Sequence, residues 1–129
     1  LREGTVSVIA TDHAPHERLV KELPIDKAAF GIIGIQHAFS LLHTYIVKKG
    51  LVSLETILTC MSENPAAIIG LDHHLLVGKK ANLCVIDLAK TYTITKDSIV
   101  SKSKNTPFIG VTCTGQITYH ILDGKVTKL

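Results

Sequence analysis

Apolar residues between positions 35 and 46 fall at Ile35, Ala38, Phe39, Leu42, Tyr45 and Ile46. Steps of three and four along one stretch predict a helix over residues 35–49 with a single apolar stripe. Lys48 and Lys49 stand in its last turn, where cations suit the helix dipole, and Gly50 supplies a left-handed stop. A second helix is expected from Ser53, a good N-cap, with Glu55 in the first turn and Leu54, Ile57, Leu58 and Met61 on one face. A third, short one would be capped by Asn64, carry Pro65 at its first position and stop at Gly70. Upstream, residues 5–10 read as a short strand and residues 12–31 as a long loop containing Pro15 and Pro24. Beyond Gly78 the pattern turns to β. A strand is expected over residues 83–88, a turn-rich stretch over 105–110, and two strands over 116–122 and 125–128 around Asp123-Gly124, a strong hairpin signal.

Composition narrows the picture. The chain has 129 residues, 46% hydrophobic and 19% charged, the balance of one globular domain. Its net charge of +3 is spread over scattered lysines without interleaved aromatics, which argues against a nucleic-acid interface. No apolar run reaches the roughly 18 residues needed to span a bilayer, so no membrane association is expected. Cys60, Cys84 and Cys113 form no C-x-x-C pair. They read as small buried hydrophobes in an intracellular, reducing compartment, and a cytoplasmic location is expected. The chain starts Leu1-Arg2-Glu3-Gly4, which suggests a segment of a longer polypeptide.

Candidate chemistry concentrates in Val-Ser-Val-Ile-Ala-Thr-Asp-His-Ala-Pro-His, where the first strand runs into Asp12, His13 and His16. The C-terminal end of a buried strand is where α/β sheets place catalytic groups. Asp12 could ligate a metal, act as a general base, or do both. His13 and His16 could bind a metal, a carboxylate or a phosphate. An Asx-type turn before Pro15 with solvated imidazoles is the bland alternative. His37 and His43 lie off the apolar stripe and are expected to be solvated or partly packed. His73-His74 reads as a polar turn, His120 as structural, and Lys102 and Lys104 as a solvated loop.

Five segments together resemble the dihydroorotases of the amidohydrolase superfamily. Thr11-Asp12-His13-Ala14-Pro15-His16 resembles the family's signature. Phe30-Gly31-Ile32-Ile33-Gly34-Ile35 is similar to its F-G-I-x-G-L segment, and Ser62-Glu63-Asn64-Pro65-Ala66 to its S-x-N-P-A turn. Gly78 through Asp87 resembles G-x-x-A-D-L-x-x-x-D, and Ser103 through Gly110 resembles S-K-x-N-T-P-F-x-G. Any one of these is a modest signal; five in family order, spread over nearly the whole chain, are a strong one.

The resemblance implies an α/β fold: the C-terminal part of a metal-dependent hydrolase (β/α)8 barrel over residues 1–77, and the C-terminal strands of a composite β-sandwich domain over residues 78–129. It implies reversible hydrolysis of the cyclic amide of dihydroorotate to carbamoyl aspartate, in pyrimidine synthesis, with one or two zinc ions. In that reading Asp12 touches the metal and shuttles the proton, His16 binds the substrate carboxylate, and the backbone around Phe30 and Gly31 hydrogen-bonds the ring. A homo-oligomer is implied, with aspartate transcarbamoylase as a candidate partner. Hydantoinase- or allantoinase-type enzymes and a non-catalytic dihydroorotase-like scaffold are the alternatives. Departures from the family pattern are Ala29 for its proline, Gln36-His37 for its Glu-Thr, and Asn82 for its aspartate. The H-x-H pair and mid-barrel ligands of the family are missing. A whole barrel takes about 250 residues, and one carboxylate falls short of the three or four ligands that zinc usually takes. The other ligands are therefore expected outside this chain, and the 129 residues alone are expected to be inactive.

Overall fold

Two positive backbone angles, φ 51° at Asp123 and 80° at Gly124, turn the chain back on itself where the Asp-Gly signal falls. They join strand β2 (Thr112–Leu122) to β3 (Lys125–Lys128), with Leu122 opposite Lys125 and His120 opposite Thr127. A computed structural model, describing residues 1–72 and 74–129, completes the sheet with β1 (Leu83–Thr93), antiparallel to β2, in the order β1-β2-β3. The strand expected over residues 83–88 continues to Thr93 past an irregularity between Asp87 and Thr91. There the Asp87 carboxylate accepts the amides of Ala89 and Lys90 at 2.9 and 3.0 Å. That contact satisfies donors that the ladder leaves open.

The helical stretches are α1 (Arg18–Lys21), α2 (Ala38–Leu42), α3 (Leu54–Leu58) and α4 (Asn64–Ile68). The single turn of α1 lies inside the loop expected over residues 12–31. A wider π-type turn, His43–Val47, prolongs α2, and Gly50 ends it with φ 67°. Ser53 caps α3 as expected, its hydroxyl accepting the Thr56 amide at 3.0 Å. The expected break at Asn64 is absent. A second π-type turn, Thr59–Glu63, runs α3 directly into α4, with Asn64 helical at φ −65° and ψ −45°. The Asn64 amide reaches back five residues to the Thr59 carbonyl, a wider turn that gives Pro65, which has no N–H to donate, a place inside the helical run. Asn64 uses its side chain elsewhere, donating to the Ser7 carbonyl at 2.8 Å.

Residues 5–10 are extended but pair with no strand among the described residues, which corrects the expected strand. Ladder partners are non-local, and here the segment is tied instead to the helical run, the Ile9 amide to the Cys60 carbonyl at 2.9 Å and the Ser7 carbonyl to Asn64.

The face that α2 buries also differs from expectation. His37, Ser40 and His43 are buried beside Phe39, while Ile35 and Tyr45 of the apolar stripe stand 67% and 42% exposed. Polar partners on β2 explain this. Ser40 Oγ donates to the Gly115 carbonyl, His43 Nδ1 donates to the Thr114 carbonyl at 2.9 Å, and the Thr114 amide donates to Thr44 Oγ1 at 2.8 Å. His43 stacks on Phe39 with ring centroids 5.8 Å apart. Gly115 makes the approach possible: a Cβ there would lie 2.7 Å from His43 Nδ1, and its φ is +90°.

Ile33, Ile94, Ile99 and Cys113 form the core, with Leu41, Tyr92, Phe108 and Val111 packed against it. Cys60 and Cys113 are buried, but Cys84 is exposed on β1, against the expectation for all three; none is in a disulfide. His120 is exposed on β2. His73 of the expected His73-His74 turn lies outside the described residues. Among the described residues no helix is long and apolar enough to cross a membrane.

His37 touches the Tyr92 hydroxyl at 3.1 Å through Nδ1, and its Nε2 is buried without a partner among the described residues. Burial holds its pKa below the ordinary 6.5, because a charge there loses hydration. The unfolded chain therefore takes up the proton first as pH falls through 6.5, and the contribution of His37 to stability, full above that pH, declines below it. In urea unfolding between pH 7 and 5, His37→Gln is expected to lose stability less steeply than the parent; parallel slopes would remove His37 from the acid response.

Candidate functional site

The extended segment 7–11 delivers Asp12 to the surface with φ 45°. This left-handed conformation is uncommon for a residue with a side chain, is best tolerated by Asn and Asp, and collects at functional sites. Asp12 is exposed, and His13 and His16 are half-buried behind it.

His13 does structural work. Its Nδ1 accepts the amides of Gly34 and Ile35 at 3.1 and 3.4 Å. A neutral imidazole that accepts at Nδ1 carries its proton on Nε2, so this geometry leaves His13 no free lone pair for a metal. His16 differs, because among the described residues only its backbone is engaged. Ser103 Oγ donates to its carbonyl at 2.6 Å, and its amide reaches Asn105 Oδ1 at 3.5 Å.

The second strip of the site is the 29–34 segment. The Ala14 amide donates to the Ile32 carbonyl at 2.9 Å. Gly31, at φ +92°, passes so close that a Cβ on it would lie 2.6 Å from the Ala14 Cβ; only glycine fits this crossing. Lys21 Nζ brackets Phe30, donating to the carbonyls of Ala29 at 2.7 Å and Gly31 at 3.0 Å. Phe30 itself is 89% exposed.

The Asn105 side chain, with that of His13, joins the strips. Asn105 Nδ2 donates to the Ala14 carbonyl at 2.9 Å and the Gly31 carbonyl at 3.3 Å, while its Oδ1 accepts the His16 amide and shares the single Ser103 hydroxyl proton with the His16 carbonyl. The Asn105 carbonyl accepts the Ile33 amide at 3.1 Å. Asp12, His16, Phe30 and Gly31 therefore sit on two strips held together by Asn105 and Ser103. Sequence reasoning missed the part these two play, as it missed Lys21. The S-K-x-N-T-P-F likeness was the available signal, but its role emerges only once the loops cross.

The donors present suit one position in a metal centre. Asp12 offers a solvent-facing carboxylate, and no group of three or more His, Cys, Asp or Glu residues among the described residues could hold an ion.

Comparison with known proteins shows the family. The profile of the amidohydrolase family matches residues 1–127. A dihydroorotase of Caldanaerobacter subterraneus subsp. tengcongensis is 38% identical over 126 residues, 98% of this chain and 29% of that protein. The chain thus spans less than a third of the length of the curated relatives it matches. Among solved structures, the L-hydantoinase of Arthrobacter aurescens superimposes with a TM-score of 0.89 at 28% identity, over 98% of this chain and 30% of that one. The inactive dihydroorotase-like domain of the Chaetomium thermophilum CAD-like multifunctional protein matches 74% of this chain and 25% of its own, with a TM-score of 0.56 and 25% identity.

Asn105→Ala is expected to lower stability by about 1 kcal/mol, the net worth of hydrogen bonds to part-buried groups, and to speed hydrogen exchange at the Ala14 and Ile33 amides. Unchanged exchange at both would show that the strips hold together without Asn105.

Proposed function

The chain belongs to the amidohydrolase family, and on that premise we propose that it is the C-terminal portion of a dihydroorotase. In this reading residues 1–77 contribute to the barrel and residues 78–129 to the satellite β-domain. The complete protein opens and closes the cyclic amide of dihydroorotate in pyrimidine synthesis. The observation that carries the proposal is the left-handed Asp12 beside His16 and the Phe30–Gly31 backbone, on strips cross-tied by Asn105. The likeness to a relative named dihydroorotase over nearly the whole chain supports it.

A zinc ion, when bound, supplies Lewis acidity and a water acidified to near neutral pH. Asp12 would give one carboxylate oxygen to that ion; the remaining ligands belong to the rest of the protein. The Asp12 carboxylate also takes the proton of the attacking water and returns it to the ring nitrogen as the amide bond breaks. His16 holds the substrate carboxylate through a charge-assisted hydrogen bond. The Gly31 carbonyl is already held by Lys21 and Asn105, which leaves its N–H as the group offered to the ring. Aspartate transcarbamoylase is the partner this reading would favour.

The shape match to L-hydantoinase keeps a second reading in view, a cyclic ureide hydrolase whose substrate lacks a carboxylate. His16 separates the two, because an imidazolium there has a charge partner only with an acidic substrate.

In the complete protein Asp12→Asn is expected to lower kcat for dihydroorotate at least about 100-fold, the usual span of a lost acid–base group. His16→Ala is expected mainly to raise KM. Turnover of hydantoin but not dihydroorotate, or an unchanged KM in His16→Ala, would favour the second reading. The 129 residues alone are expected to show no turnover; activity of the isolated segment would contradict the proposed division of ligands.

A further inference from the structure

A cleft of about 910 Å³ opens beside His16, walled by segment 15–22 on one side and by Lys96 and residues 101–105 on the other. Its lining is strongly cationic. Arg18, Lys21, Lys96, Lys102 and Lys104 all border it, against the two carboxylates of Glu17 and Glu22. Glu22 is paired with Arg18 at 2.6 Å. The excess of cations over carboxylates in this one cleft equals the net charge of +3 carried by the whole chain.

The cations fall into two groups. Lys21 is anchored on the Ala29 and Gly31 carbonyls, and Lys104 Nζ on the Ile99 carbonyl at 2.5 Å. These two hold backbone. Lys96 and Lys102 are exposed and have no acidic partner among the described residues. Neither ammonium group is held by a carboxylate or carbonyl among the described residues. No Phe, Tyr or Trp borders the cleft, so stacking of nucleobases, the mark of single-stranded nucleic-acid grooves, has no platform there.

We infer that the cleft is an electrostatic vestibule, in which Lys96 and Lys102 draw a small di- or monocarboxylate toward His16. This inference rests on the acidic-substrate reading given above and adds a capture step to it. A concave surface of one sign raises local counter-ion concentration and association rates by roughly 10–1,000-fold, falling steeply with salt. Groups that act this way govern encounter and leave the chemical step alone. The open-chain product carries two carboxylates and the ring form one, so the vestibule favours the open-chain form the more strongly.

The test is the Lys96→Gln/Lys102→Gln double variant of the complete protein, assayed in both directions from low salt to 1 M, where the screening length is about 3 Å. The expected result is a fall in kcat/KM of about 10-fold at low salt, larger for carbamoyl aspartate than for dihydroorotate. The difference should vanish at 1 M salt, with kcat unchanged throughout. Wild-type kcat/KM and a wild-type salt slope in the variant would overturn the inference while leaving the proposed reaction standing. If the wild-type protein turns over neither compound, the proposed reaction fails instead, and the vestibule is then tested by calorimetric titration with malonate. Salt-sensitive malonate binding that weakens in the double variant supports the vestibule; no binding, or binding indifferent to the variant, overturns it.

Discussion

Two loops of this chain cross with their backbones nearly touching, and a single carboxamide satisfies both. Asn105 gives its two N–H groups to Ala14 and Gly31 and its oxygen to Ser103 and His16, while its own carbonyl takes the Ile33 amide. Partly buried backbone groups that lose water need protein partners. An amide with two N–H donors and an oxygen bearing two lone pairs can serve both loops at once, where a hydroxyl or a carboxylate could not. The left-handed turn at Asp12 depends on this arrangement. A residue in a sparsely populated conformation persists only where its surroundings over-determine it. Here the crossing at Gly31, the His13 contacts and Asn105 supply that determination.

The same economy of polar contacts joins helix to sheet. Ser40, His43 and Thr44 meet the backbone of Thr114 and Gly115, so α2 binds β2 through hydrogen bonds on one face and leaves apolar residues of the other face open. Ile68, Ile69 and Leu71, in and just after α4, are likewise more than half exposed. Apolar surface on this scale marks contact with something else. The chain spans less than a third of its curated relatives, and within the proposed reading those surfaces face the rest of the same protein.

What the sequence made legible was local. The hairpin at Asp123-Gly124 and the Ser53 cap follow from φ preferences and a side chain reaching three residues along. Non-local features were harder. Residues 5–10 have the composition of a strand, but a ladder needs neighbours that composition does not reveal. Asn64-Pro65 carries the chemistry of a helix start, yet a π-type turn absorbs the proline and the run continues. His37 and His43 were read from their place off an apolar stripe, a rule that counts only apolar burial and overlooks imidazoles with carbonyl or hydroxyl partners. At the candidate site Asp12, His16, Phe30 and Gly31 could be singled out from motif likeness. Asn105, Ser103 and Lys21 are visible only when the crossing of the loops is known, and so is the gathering of lysines from distant segments around one cleft.

The proposed chemistry rests on the Asp12 carboxylate lying against a metal ion at the rim of the completed fold. A crystal structure of the complete, zinc-loaded protein measures this directly. A carboxylate oxygen of Asp12 at about 2.0–2.2 Å from the zinc, with the left-handed backbone retained, is the result the account predicts. An Asp12 side chain turned into solvent, with the ion held elsewhere by other residues, would contradict it.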